Sequence, residues 1–145
     1  MIMRKISQLK QILKTDGNGR PVLKLKPLKN IAVNTPTKEE YSELMRVYEC
    51  GGWRWADGSS PTESDDWTRG YAKYAEEMCI SVPHLGFDLE FGYADKETYY
   101  RIGYKAISPQ EFYDKENITP EMLKEINDCF DKSNKDSDIN ERNFL

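Results

Sequence analysis

A capping box followed by a double-glycine stop frames the one segment of this chain whose conformation leaves little choice. In Thr37-Lys38-Glu39-Glu40 the threonine is a helix N-cap with a glutamate at the third helical position. That pairing gives acceptors to N–H groups that a helix start otherwise leaves unpaired. The helix so opened carries Tyr41, Leu44, Met45 and Tyr48 at i, i+3, i+4 and i+7, a single apolar stripe. Gly51 and Gly52 then supply the left-handed residue that ends it. Ile31-Ala32-Val33 reads as a short strand before the helix, and Trp53-Arg54-Trp55 as a second strand after it.

Residues i and i+2 of a strand share a face, so Trp53 and Trp55 form one aromatic surface with Arg54 opposite. Such a surface is either the core of a small domain or a stacking platform. The polar stretch 57–66 that follows is a loop, and Trp67 re-enters structure ahead of Arg69, Tyr71, Lys73 and Tyr74.

Further along, Met78-Cys79-Ile80-Ser81-Val82 reads as a strand closed by Pro83. Phe87, Leu89, Phe91 and Tyr93 alternate with Asp88, Glu90 and Gly92, a half-buried strand expected to pair antiparallel with it. One or two helical turns over 95–102 end at Gly103, and Tyr104 to Ile107 is a further strand. Ser108-Pro109-Gln110-Glu111 is a second capping box opening a brief helix with Phe112 and Tyr113. Thr119-Pro120 caps a last helix with Leu123, Ile126 and Phe130 on one stripe.

The expected fold is therefore α+β: a mostly antiparallel sheet of four or five strands packed with two or three helices. Its body spans 31–132, a polar flexible tail spans 133–145, and a basic arm spans 1–30. In the arm, Ile6, Leu9, Ile12 and Leu13 suit a short helix over 4–14, while Asp16-Gly17-Asn18-Gly19 suits a hairpin instead. Val22 to Lys26 alternates like a strand.

Charge divides along the same boundary. The net charge of −4 conceals eight Lys/Arg against one acid in residues 1–30, and 13 bases against 24 acids in the rest. A basic arm of this kind docks on nucleic acid, on an acidic partner, or back on its own acidic body. An acidic body repels duplex DNA and suits a basic groove on another protein.

Several classes of chemistry have no residues to serve them. Cys50, Cys79 and Cys129 are widely spaced with no C-x-x-C, so neither a disulfide framework nor a zinc site is expected. The lone His84 follows Pro83 in a turn and lacks partners for a triad or a metal. Asp65-Asp66 and Glu76-Glu77 are adjacent acids that read as solvated charge. The chain has no G-x-x-x-x-G-K-S/T, G-x-S-x-G or H-E-x-x-H. The expectation is a protein without catalytic residues, metal or cofactor. No apolar run is long enough to span a membrane, and Arg4 and Lys5 are followed by neither an apolar leader core nor a cleavage site. A cytoplasmic location follows.

What remains are aromatics interleaved with bases. Aromatic residues make up 12% of the chain, and Tyr71, Tyr74, Tyr99, Tyr100 and Tyr104 lie near Arg69, Lys73, Arg101 and Lys105. They fill a thin core, anchor a protein interface, or stack on a nucleotide or single strand. The candidate binding residues are Trp53, Arg54, Trp55, Trp67, Arg69, Tyr71 and Tyr74.

The order Asn34 to Tyr41, then Gly52-Trp53-Arg54-Trp55 and Gly58, Trp67, Cys79-Ile80, Gly103 to Ser108 and Glu111-Phe112 resembles small accessory proteins of phages and prophages of Gram-positive bacteria. The resemblance covers residues 31–113 and carries no catalytic residues. It implies a phage or mobile-element setting in a bacterial host more than a mechanism. Joined to the acidic body and the aromatic-rich surface, it gives the expectation of a non-enzymatic binding protein that inhibits or modulates a host protein such as a CRISPR-type defence effector. The alternative is a small-nucleotide or single-stranded nucleic-acid binder built on the aromatic and basic residues.

Overall fold

The computed structural model describes residues 13–55, 58–63, 66–83 and 93–143. Strand β1 (Ile31–Asn34) and helix α1 (Lys38–Cys50) come first, followed by α2 (Asp66–Tyr74) and a short 3-10 turn, Ala75–Glu77. Strands β2 (Met78–Ser81) and β3 (Tyr93–Asp95) precede α3 (Lys96–Arg101), β4 (Lys105–Ile107), α4 (Pro109–Lys115) and α5 (Pro120–Asn143). The class is α+β, with a four-stranded sheet ordered β3-β2-β1-β4.

Two ladders are antiparallel, β1 with β2 and β2 with β3, and the third, β1 with β4, is parallel. The sheet is thus mixed, and five helices accompany it where two or three are expected from the sequence. The addition is α2, which follows the polar loop; α3 forms where one or two helical turns are expected over 95–102, and α5 continues as helix through residues assigned to a flexible tail. The alternating strand expected over 87–93 lies outside the described residues apart from Tyr93, which begins β3 and pairs with Ile80.

The two sheet faces differ in kind. Val33, Met78, Ile80 and Ile107 face the main core, where they meet Leu44, Met45, Val47 and Tyr48 of α1, Phe112 of α4, and Ile126 and Phe130 of α5. The opposite face is paved with Ala32, Cys79, Ala94 and Ala106, small enough for Tyr99 of α3 to lie against it. Gly70 of α2 closes the packing elsewhere: a Cβ there would stand 2.4 Å from Met78 Cε.

Three helices stop by one device. After α1, Gly52 N–H donates to Glu49 O and Trp53 N–H to Tyr48 O. Gly103 and Tyr104 repeat the pattern on Tyr100 and Tyr99, and Asn117 and Ile118 repeat it on Asp114 and Tyr113. The residue that turns the chain has positive φ each time: Gly52 at 81°, Gly103 at 87° and Asn117 at 58°. This is the Schellman arrangement, in which the residue after the turn packs on the third from the helix end. Here the pairs are Tyr48 with Trp53, Tyr99 with Tyr104, and Tyr113 with Ile118.

The described part of the arm is a hairpin followed by an extended run. Asp16 Oδ1 accepts from the N–H groups of Asn18 and Arg20, and Thr15 bridges to Pro21. The chain thus turns back on itself between Lys14 and Val22; the helix expected over 4–14 lies outside the described residues apart from Leu13 and Lys14. Leu23 is buried, and Leu25 and Leu28 pack on the core. Gly51 makes room for this run, since a Cβ there would meet Leu25 Cδ1 at 2.2 Å.

Candidate functional site

Trp53 and Trp55 do not form the exposed platform that one reading of the sequence assigns them, and they lie in no strand. Their relative exposures are 3% and 8%. The Trp53 N–H is used in ending α1, and the Trp55 N–H donates to Ser59 O while the Trp55 carbonyl accepts from Gly58. Backbone committed to a helix end and a turn has nothing left for a ladder. The Trp53 ring meets Tyr48 edge-on at 4.8 Å, and Trp55 meets Tyr93 edge-on at 6.4 Å. Both faces of a stacking surface are closed there.

The remaining candidates separate. Arg54 donates to the Trp53 carbonyl at 3.4 Å and lines a depression with Asp16, Arg20 and Glu49. Tyr74 turns toward the sheet, its ring 6.2 Å from Tyr93, with the Lys73 ammonium 5.3 Å from its own centre. Arg69 lies on α2 between Trp67 and Tyr71, and its side chain lies outside the described residues.

Trp67 and Tyr71, one helical turn apart, do come together. Their ring centres are 4.8 Å apart at 30°, and Tyr41 of α1 stands 5.6 Å from Trp67. Trp67 is half-buried and Tyr71 is 40% exposed. This ladder borders a cleft of about 350 Å³ between α1, residues 61–63, the start of α2 and the flank of α5. Lys38, Ser42 and Arg46 line it at successive turns of α1, with Met45, Pro61 and Phe130 as apolar floor.

Charges around the cleft are of both signs. Arg46 is tied down, donating to Asn127 Oδ1 at 3.0 Å and to Asp131 at 3.1 Å. Asn127 in turn donates to Glu43 Oε2. Lys38, Glu39 and Glu63 pair with no opposite charge among the described residues.

Phe130 closes one end of the cleft and is held by two cations. The Arg20 guanidinium lies 4.6 Å from its ring centre and that of Arg46 lies 5.4 Å away. Arg20 also pairs with the buried carboxylate of Glu49. The other oxygen of Glu49 accepts from the N–H and hydroxyl of Thr62. Glu49 therefore joins the arm, α1 and the loop that forms the cleft wall.

Sequence reasoning places Trp67 and Tyr71 at a site but misses Lys38, Arg46 and Phe130. The signal for the two cations is their spacing with Ser42 along the helix flank beside the apolar stripe. For Phe130 there is none, because it reads as an ordinary core position.

Among the described residues no group of three His, Cys, Asp or Glu could hold a metal ion, and no helix is long and apolar enough to cross a membrane. Burial pushes the Cys50 thiol up to about 12 and the Cys79 thiol up to about 11. Neither is a reactive nucleophile at neutral pH. Comparison of the chain with protein-family models, curated proteins and solved structures finds no match.

Proposed function

We propose that the protein is a non-enzymatic binding protein of phage or mobile-element origin that inhibits or modulates a host protein. A CRISPR-type defence effector is the class that the acidic body, the aromatic-rich surface and the phage-like pattern of residues 31–113 together favour. The observation that carries the binding role is the Trp67–Tyr71 ladder at the mouth of a cleft lined by Glu63, with Glu39 in the depression beside it, neither carboxylate pairing with a cation among the described residues. Tryptophan, tyrosine and arginine dominate the energetics of protein interfaces, above all where a pocket lets them desolvate. Carboxylates at the rim steer a basic partner surface toward them.

A nucleotide fits less well. Tyr71 and Tyr41 occupy the surroundings of the Trp67 ring, and Trp53 and Trp55 are withdrawn into the core. The cations Lys38 and Arg46 keep that reading in play as the second one. Tryptophan fluorescence separates the two, because only Trp67 is open to a stacking ligand. Quenching by nucleotides that disappears in Trp67→Phe would favour the second reading.

The direct test is capture of a host protein on the tagged full chain, repeated with Tyr71→Ala and with Glu39→Lys combined with Glu63→Lys. The expected result is one retained protein, bound at least about tenfold more weakly by both variants, a loss of about 1.4 kcal/mol. Equal retention by all three chains would overturn the assignment of this cleft.

A further inference from the structure

The run 22–29 reaches the body with its apolar side chains and its backbone, and turns its lysines to solvent. Leu23 is buried and Leu25 and Leu28 are half-buried, while Lys24, Lys26 and Lys29 are exposed. The N–H groups of Leu23 and Leu28 donate to the carbonyls of Cys50 and Pro83, and that of Lys26 donates to Glu116 Oε2 at 2.6 Å. Over 22–26 the side chains alternate out and in, as in an extended chain, so Lys24 and Lys26 stand roughly 6.6 Å apart along one edge. Past Pro27 the alternation breaks: Leu28 packs on the core and Lys29 is exposed at the end of the run.

The hairpin lengthens that row. The Lys14 carbonyl accepts from Val22 N–H at 2.8 Å, which sets Lys14 across from Val22. Residues opposite one another in an antiparallel pair share a face, and Val22 shares its face with Lys24. Only Arg20 in this segment is consumed by a carboxylate, that of Glu49. Lys14, Lys24 and Lys29 form no ion pair with any described residue, and neither does Lys26, although its charge acts on the Glu116 carboxylate that its N–H meets. Asp16, the segment's one acid, is turned inward onto Asn18 and Arg20 N–H groups.

We infer that this lysine edge is a docking surface for the phosphate backbone of a single-stranded nucleic acid, distinct from the cleft. The roughly 6.6 Å backbone step from Lys24 to Lys26 is close to the step between successive phosphates of an extended strand. Lysine is a compact point charge that holds phosphate without demanding a fixed fork geometry. The row has no exposed aromatic ring, so it reads backbone and not bases. A single strand can follow one edge without bringing a second strand against the acidic body.

The test is fluorescence anisotropy of the full chain with labelled oligothymidylate across a salt series. With four lysines engaged, log K should fall with log salt at a slope of about −3, near 0.7 per phosphate neutralised. The variant K24Q/K26Q/K29Q should bind at least tenfold more weakly, while K73Q/K105Q/K115Q, with the same loss of charge from exposed lysines elsewhere, should bind as the parent does. Circular dichroism melts of both variants verify that they fold. Absence of salt-dependent binding by the parent, or equal weakening by both variants, would overturn the inference. So would displacement by polyglutamate at matched charge, which would make an acidic polypeptide the partner.

Discussion

Trp53 donates its N–H to the carbonyl of Tyr48 at 3.0 Å and lays its ring edge-on against the ring of that same residue at 4.8 Å. One pair of residues thereby ends a helix and seeds the core. The arrangement requires Gly52 at φ +81°, a conformation that strains any residue with a Cβ.

Gly52→Ala should destabilise the protein by about 1–2 kcal/mol through that strain alone, because open space surrounds the position. Gly51→Ala has the reverse cause. Its φ is an ordinary −82°, yet the new methyl would collide with Leu25. Its signature should be local: limited proteolysis within residues 22–28, where Gly52→Ala leaves cleavage to follow global unfolding.

Phe130→Ala should cost about 3 kcal/mol, since it empties a nearly buried aromatic site and removes the ring lying beside Arg20 and Arg46. Arg20→Gln should cost less, because its guanidinium is partly exposed. Chemical denaturation of the two variants gives the comparison, and equal losses would refute the ranking.

Burial raises the Glu116 carboxyl above its ordinary value, against the lowering effect of Lys26. The folded chain therefore holds this proton to higher pH than the unfolded chain does. Stability from Glu116 is present in full below the unfolded carboxylate range and is lost as pH rises through the folded value. Glu116→Gln should accordingly melt higher than the parent at neutral pH, with the advantage shrinking under acid conditions. A constant difference across pH would show that the ionised form carries no penalty.

Native thiol labelling should be uneven. Cys50 and Cys79 are buried with thiols held well above neutral, whereas Cys129 is half-exposed. A maleimide titration should modify Cys129 first, with Cys50 and Cys79 reacting only at the rate of unfolding.

The elements that the sequence makes legible are those whose signals are local. Both N-caps form: Glu40 N–H donates to Thr37 Oγ1 and Glu111 N–H donates to Ser108 Oγ, and the Thr37 hydroxyl donates to Glu40 Oε1. Gly52 and Gly103 stop helices as their positions imply, while Asn117 does the same work without announcing it. The Trp53–Trp55 alternation misleads because period two describes any extended chain, paired or not. Lys38 and Arg46 share a flank of α1 through their spacing, but Phe130 joins them only through the packing of α1 against α5, a relation that no local pattern encodes. The turn at Ala75, held at φ +51°, is likewise a tertiary result.

The first strand among the described residues is also an inner strand of the sheet, and neither of its neighbours is local. β1 waits for residues 78–81 on one side and for 105–107 on the other. A nascent chain that has delivered its N-terminal half holds Ala32 and Val33 ready with both edges open. Contacts of such long sequence separation slow the search for the native state, and unpaired edges invite association while it lasts. Refolding should therefore be slow for a chain of this size and sensitive to protein concentration, with α1 able to form early and the sheet closing only once β4 arrives.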